Sequence, residues 1–444
     1  MSPLPDAKLK IVRALVEQAP DKAVSTLLMA LSSDSGLDAG LIAVRAVVEV
    51  EARERRTRAT VFAPISALCA RGRTGRLAFP PKTLGRLWTA LKLEAPDRCE
   101  AAHHLVAEWD AETSRPDLLD DLCRLAGRGL ADGRNGEFIA AAALADEGSG
   151  AGTLSRCLEL AAITRRSIAR LPDWLGRVTD EKAALLRLAF KDVAKIAPDS
   201  EPLFFESLAA NLAEPWRILH IIAMAMARPS DTYLASTELA GFGEDLLADI
   251  DSRLDLLKRF TRDAGADGAR ATAEALHVAV QEIVEFERSL NLSPEGVWGR
   301  RLIAQRRTLA AAAEAHLRAV DDAMSHALPL QTVRLGPRTL KGIPRLTAEP
   351  DPKMAERAIT LLTLLQETRV SAAAGGFASA RSKALEIAEA RLDEYIDDTL
   401  HDLRAEAPRE PERARAFLEV AAQLSAVLRD DKAAQLVRRR AAAA

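Results

Sequence analysis

Two pairs of residues whose types can bind metals lie at helical spacing in this sequence. Glu100 and His103 form one Glu-x-x-His pair, and Glu274 and His277 form the other. Side chains three residues apart share one face of a helix, and two such pairs from different helices help to hold the metals of di-iron bundles. Here one pair lies among predicted short helices and the other in a predicted long helix, and seven histidines make chance matches common. We therefore do not expect a di-iron centre.

Cys99 and His103 are four residues apart, which gives a half-site for zinc on one helical face. Together with Glu100 they are weak metal-ligand candidates, because a structural zinc site usually takes its ligands in paired short spacings. The other cysteines are isolated along the chain: Cys69, Cys123 and Cys157. Isolated cysteines in a reducing compartment behave as small buried apolar side chains. The sequence therefore predicts structural cysteines, and neither a metal nor another cofactor.

No motif for nucleophilic catalysis, phosphate binding or dinucleotide binding occurs in the sequence. His316 and Glu287 interrupt the apolar stripes of two predicted long helices, and would form an acid–base pair if they met. Their register places them several turns apart, so we expect His316 to be a hydrogen-bonded histidine at a helix interface. We expect the same of His220. No catalytic residue is predicted, and the sequence leans against an enzyme.

A proline-rich basic segment, residues 329–352, is the clearest linker in the chain. Its basic side chains are the predicted partner-binding residues: Arg334, Arg338, Lys341 and Arg345. A second basic group, Arg438 to Arg440, stands near the carboxyl end. These two groups could also contact an anionic surface, and such binding would weaken steeply with salt.

Composition and charge limit the classes of protein. The chain of 444 residues is 48% hydrophobic and 4% aromatic, which is typical of a globular protein and excludes a wholly disordered one. Its 61 basic and 64 acidic residues leave a net charge of −3, so we expect no nucleic-acid partner. The amino-terminal segment does not resemble a secretory signal, and no apolar run is long enough to span a membrane. We therefore expect a cytoplasmic protein without an integral membrane segment.

The elements that position these residues are predicted to be helices throughout. Proline and glycine recur about every 20 residues in the amino-terminal part, which predicts short antiparallel helices in a solenoid-like array without a repeated signature. Apolar residues at three- and four-residue steps then predict longer antiparallel helices that form a bundle. We predict an all-α fold with four segments: a short-helix array (1–197), a long-helix bundle (198–328), the linker (329–352), and a helical segment that packs on or extends the bundle (353–444).

Long helices offer broad side faces and few preformed polar clefts. This architecture, without catalytic motifs, favours a non-catalytic protein–protein interaction protein: a scaffold, adaptor or regulatory subunit in the bacterial cytoplasm. We expect another protein as its partner and leave a homo-oligomer open, because an apolar stripe can face its own bundle or a second subunit. The alternative is an enzyme or ligand-binding helical protein, including a metal-dependent one, whose site is assembled from residues distant in sequence.

Overall fold

The computed structural model describes residues 5–33, 39–73, 75–108, 116–226, 229–334, 340–405 and 410–444. Within these residues nearly all regular structure is helical, which confirms the predicted all-α class. The α-helices, in chain order, are α1 (Asp6–Gln18), α2 (Asp21–Ser33), α3 (Ala39–Val61), α4 (Ala63–Ser66), α5 (Thr83–Glu94), α6 (Pro96–Ala107), α7 (Asp117–Asp132), α8 (Gly136–Asp146), α9 (Ala151–Glu159), α10 (Ala161–Leu175), α11 (Asp180–Ile196), α12 (Glu201–Ala209), α13 (Ile218–Ala225), α14 (Asp231–Leu234), α15 (Ala240–Arg259), α16 (Gly265–Ser289), α17 (Val297–Ala327), α18 (Pro352–Glu367), α19 (Ala378–Arg404), α20 (Pro411–Leu428) and α21 (Asp431–Ala442).

Local sequence accounts for several helix starts. The Asn135 side chain accepts hydrogen bonds from the backbone N–H groups of Glu137 and Phe138 at the start of α8. Asp430 accepts in the same way from Ala433 at the start of α21. These side chains satisfy N–H groups that have no partner inside the helix. None of the described helices is both long and apolar enough to cross a membrane.

Backbone contacts divide the chain into two compact units, Met1–Ala227 and Arg228–Ala444. The predicted division at residue 197 falls inside the first unit, because α12 and α13 pack against α10 and α11. Helix α13 is apolar on most of its faces and is buried almost completely. It therefore needs cover from several neighbours, which the preceding helices supply. The four-segment division otherwise stays a prediction.

The first unit contains two separate apolar clusters. The larger one runs from the carboxyl end of α3 through α5, α6, α7, α8 and α9 to the start of α10. The smaller one joins α1, α2 and the amino-terminal half of α3, and its buried members in the described residues are four: Val16, Val24, Leu31 and Val48. The first three helices are thus held by a thin core of their own.

The second unit is built on long helices, as the sequence predicts. Helices α15, α16 and α17 pack against one another, and α18 packs on both α16 and α17. The close approach of α15 to α17 depends on Gly243, because a Cβ at this position would lie 2.5 Å from the ring of the buried Trp298. Helix α19 packs on α17, and α20 and α21 complete the unit.

The segment predicted as a linker contains a β-hairpin, which the sequence did not predict. Strands β1 (Leu330–Arg334) and β2 (Leu340–Pro344) pair antiparallel, with Leu330 opposite Pro344. Strand β2 packs against α19, where Lys341 Nζ lies 3.0 Å from an Asp398 carboxylate oxygen. The prolines of this segment made its strands difficult to predict from the sequence. Of the prolines in the described residues, however, only Pro344 lies within a strand, at its end.

Candidate functional site

The metal-ligand candidates on α6 do not converge on a common point. The Glu100 side chain is 56% exposed and pairs with His104, whose Nε2 lies 3.5 Å from Glu100 Oε1. Cys99 and His103 are instead buried. Within the described ranges, no group of three or more histidine, cysteine, aspartate or glutamate side chains is placed to hold a metal ion.

The four cysteines are free and buried, which confirms the predicted burial. Burial, together with the nearby Glu54 carboxylate, raises the pKa of the Cys99 thiol to about 11. Burial raises the pKa of the other three thiols to about 12: Cys69, Cys123 and Cys157. A thiol is a good nucleophile or metal ligand only after it loses its proton, so these groups are unreactive at neutral pH.

His103 belongs to a partly buried hydrogen-bonded cluster centred on Glu54. Its Nε2 lies 3.2 Å from Glu54 Oε1, and its Nδ1 lies 2.7 Å from the Thr57 hydroxyl. The Trp88 indole N–H donates to Glu54 Oε2 at 2.6 Å, and Lys92 Nζ donates to the same oxygen at 3.2 Å. The cluster therefore ties α3 to α5 and α6.

The charge of Glu54 is stabilised by these donors. Burial alone would raise the pKa of this carboxyl, but the hydrogen bond from Trp88 and the charge of Lys92 outweigh it, and the pKa is lowered from its ordinary value. Glu54 is thus ionised at neutral pH, with both of its oxygens engaged. Its arrangement is that of a structural carboxylate rather than a proton acceptor for a substrate.

A cleft of about 760 Å³ opens beside this cluster, between α3 and α5. We call it the α3–α5 cleft. Its volume lies within the range of about 300–1,000 Å³ that is usual for small-molecule sites. Its lining has an acidic end and a basic end: the acidic end comprises Glu17, Asp21 and Glu51, and the basic end comprises Arg58, Lys82 and Arg86.

The acidic end is organised by Arg55. Its guanidinium pairs with Glu51 and Asp21, both at 2.6 Å. It also donates to the backbone carbonyls of Val16, Glu17 and Ala19 at the carboxyl end of α1, at 2.8–3.0 Å. A cation at this end of a helix satisfies carbonyl groups that have no partner inside the helix. Arg55 is therefore used to hold α1 against α3.

The three predicted partner-binding residues that the structure describes do not form one basic patch. Arg334 is exposed at the end of β1, while Lys341 points to the opposite face of the hairpin and pairs with Asp398. Arg345 lies at the other end of the strands, where it is exposed and lines a second cleft of about 630 Å³. Arg338 lies outside the described residues.

The structure separates the proposed acid–base pair, as the predicted register requires. His316 Nε2 lies 2.9 Å from the carbonyl oxygen of Leu257, and its ring meets Phe260 edge to face. This confirms a hydrogen-bonded histidine between helices. Glu287 instead receives two hydrogen bonds from Arg306, both of 2.6 Å.

The basic group near the carboxyl end lies on a helix, α21, rather than on a free tail. Arg438 pairs with Glu419 and Arg440 pairs with Asp397, each at 2.6 Å. These glutamate and aspartate residues lie on α20 and α19. The positive charge of this segment is therefore largely used to hold the helices together.

Glu282 on α16 is a buried acid that the sequence did not single out. Only 1% of its surface is exposed, and it hydrogen-bonds the Asp249 carboxyl on α15. Burial, with the Asp249 charge, raises the pKa of Glu282 to about 9, although Arg253 opposes the shift. Arg253 Nη2 donates to Asp249 at 2.7 Å, and Arg253 Nε lies 3.4 Å from Glu282 Oε2. Glu282 is protonated at neutral pH.

The exposed apolar side chains of the first three helices were also missed. Seven large apolar side chains are exposed there: Ile11, Leu15, Leu27, Met29, Leu41, Ile42 and Val50. Exposure of this kind has no signature in the sequence, because apolar residues at helical spacing predict a buried face.

Comparison with protein-family models, with curated proteins and with solved structures gave no match to this chain.

Proposed function

We propose that the chain is a non-catalytic protein-interaction protein, a scaffold, adaptor or regulatory subunit, that acts in the bacterial cytoplasm. The main support is that α1, α2 and α3 expose more large apolar side chains than they bury in their shared cluster. Seven large ones are exposed, whereas the cluster that joins these helices has four buried members. Contiguous exposed apolar surface on a folded protein commonly marks an interaction site. The four buried free cysteines are compatible with a reducing compartment.

The docking surface is most clearly defined on α3. Ile42, Ala46 and Val50 are exposed and follow one another at four-residue steps, so they form one stripe about 12 Å long. Ile42 is 56% exposed and Val50 is 52% exposed. Thr57, seven residues beyond Val50 on the same face, is fully buried against His103 of α6. The same face of α3 is thus covered at its carboxyl end and open along its amino-terminal half.

The charges beside this α3 stripe indicate the chemistry of the partner. Arg53 and Arg56 follow the stripe and are exposed, and neither guanidinium group has a hydrogen-bond or ion-pair partner in the described part of the chain. Arg45, by contrast, pairs with Glu49 at 2.6 Å. An apolar stripe at helical spacing fits the apolar face of another helix, and unpaired arginines favour an acidic partner. We therefore propose as partner an amphipathic helix with acidic residues at its flank.

The proposal is tested with a photo-crosslinking amino acid placed at Ile42, and separately at Val50, in the native host. Ile139 on α8 is the matched control, since it is a single apolar side chain that is 59% exposed. We expect one protein to be crosslinked from both stripe positions and not from residue 139, through a segment with an apolar face and acidic flanks.

Three results would contradict the proposal. The first is a crosslinking pattern that is the same at residue 139, and the second is no adduct at either stripe position. The third is an adduct with a second copy of this chain alone, which would establish self-association in place of a separate partner.

A further inference from the structure

We infer that the basic end of the α3–α5 cleft binds a phosphate-bearing small molecule. Arg58 is half-buried in this cleft, and its guanidinium group has no hydrogen-bond or ion-pair partner among the described residues. Lys82 also lines the cleft, and its ammonium group has no such partner either within the described ranges. The inference does not depend on the docking surface, because the α3 stripe lies on the amino-terminal half of the helix.

The unpaired state of Arg58 has a specific cause. Glu54 precedes it by four residues, a spacing at which glutamate and arginine ordinarily form an ion pair on a helix surface. Here, however, both oxygens of Glu54 are already engaged by His103, Trp88 and Lys92. The Arg58 guanidinium is therefore left facing the cleft. A partly buried cation without a counter-ion is an unfavourable arrangement that a bound anion would relieve.

Gly85 keeps the floor of the cleft open beneath Arg58. A Cβ at this position would have only Arg58 Nη1 within 4 Å, at 3.8 Å, so a side chain here would occupy cleft space rather than a packed core. The φ angle of Gly85 is not in the left-handed region, so the backbone does not require glycine. Lys82 immediately precedes α5, whose first-turn N–H groups favour negative charge at the same end of the cleft.

The number and type of the cations favour a phosphoryl group over a single carboxylate. Arg58 and Arg86 present guanidinium groups that can donate two hydrogen bonds each to phosphate oxygens, and Lys82 adds a third charge. Arg86 already pairs with Glu137 at 3.0 Å, but 53% of its side chain remains exposed. The two cations without a counter-ion, Arg58 and Lys82, suit a group with two negative charges, and Arg86 supplies further hydrogen-bond donors.

The acidic end of the cleft limits the size of the anion. Glu51 and Arg58 are seven residues apart on α3, which places the two ends about 10 Å from each other. A nucleic-acid strand carries a phosphate at each nucleotide, so its further phosphates would meet the acidic end. The cleft therefore fits a compact phosphate-bearing molecule whose remainder is neutral or positively charged.

The test is calorimetric titration of the full chain with inorganic pyrophosphate at fixed ionic strength. We expect saturable binding that Arg58→Gln weakens about tenfold or more, and that Lys82→Gln weakens to a similar degree. Arg98→Gln is the matched control, because Arg98 is exposed on α6 and does not line the cleft. It should change the affinity by less than about twofold. Lys82 is exposed, so its variant should fold even if the Arg58 variant does not.

Three outcomes would overturn the inference. One is the absence of binding up to about 10 mM pyrophosphate, and another is binding that neither cleft variant weakens. The third is binding of a single-stranded oligonucleotide that is tighter than that of pyrophosphate and weakened by Arg58→Gln. Saturable binding of acetate with the same affinity as pyrophosphate would also contradict the inference, because the site would then not distinguish a phosphoryl group from a carboxylate.

Discussion

Glu282 couples the stability of the second unit to pH. Its pKa is about 9 in the folded protein, because it is buried beside Asp249, whereas its ordinary value is 4.5. Between these values the folded protein binds a proton that the unfolded chain releases. The contribution of Glu282 to stability is therefore fully present below the ordinary value and is lost as the pH rises through about 9.

We predict that Glu282→Gln flattens this pH dependence. The free energy of unfolding of the unchanged protein should fall between about pH 5 and pH 9, with up to about 1.4 kcal/mol per pH unit due to this residue. Glutamine keeps a hydrogen-bond donor toward Asp249 and carries no proton to release, so the variant should be the more stable of the two at pH 8. Urea unfolding at a series of pH values measures both slopes.

The control for this experiment is Glu274→Gln, an exposed substitution on the same helix. It should leave the pH slope of the unchanged protein intact. Equal slopes for Glu282→Gln and the unchanged protein would show that Glu282 is ionised in the folded state, and would contradict its protonation at neutral pH.

At the residue scale, the sequence predicted the nature of single side chains better than their partners. Buried cysteines and an interface histidine at 316 follow from their apolar surroundings, and both are confirmed. The partners of Glu54 could not be predicted, because Trp88 and His103 lie on other helices and only the packing of α5 and α6 brings them to it. Long-range pairing of this kind leaves no spacing pattern in the sequence.

Two helix glycines should respond oppositely to the same substitution. Gly243→Ala would place a methyl group 2.5 Å from the Trp298 ring, so we predict a loss of about 1–3 kcal/mol in the free energy of unfolding. Gly85→Ala meets no atom closer than 3.8 Å, and alanine restricts the unfolded chain, so we predict a gain of about 0.4–1 kcal/mol. Urea unfolding of the two variants checks both signs. Equal effects would contradict the close packing of α15 against α17.

At the element scale, the sequence predicted best those helices whose apolar residues repeat regularly over many turns. Helices α16 and α17 repeat apolar residues over many turns, and the sequence predicts long helices in this region. The hairpin was missed because its five-residue strands lie in a proline-rich segment whose composition resembles a linker. Helix α21 lies within the segment that was predicted to be helical, but the partners of its arginines could not be predicted, because the acidic residues that pair with them come from α19 and α20.

The division into two compact units predicts how fragments of the chain should unfold. We expect residues 1–227 to unfold cooperatively, because their apolar clusters are internal to that unit. Residues 1–197 lack α12 and α13, so faces of α10 and α11 that are covered in the whole unit become exposed. This shorter fragment should unfold at a lower urea concentration or aggregate. Equal stability of the two fragments would favour the division at residue 197.

At the scale of the whole molecule, we propose that the α3 stripe binds a partner protein. This binding is tested by measuring the affinity of the crosslinked partner for three purified chains: the unchanged protein, the double variant Ile42→Ser/Val50→Ser, and the control Ile139→Ser. All three positions are more than half exposed, so these substitutions should change the stability by less than about 0.5 kcal/mol. We predict that the double variant binds about tenfold more weakly or worse, while the control binds like the unchanged protein. Equal affinity of the double variant and the unchanged protein would contradict the claim.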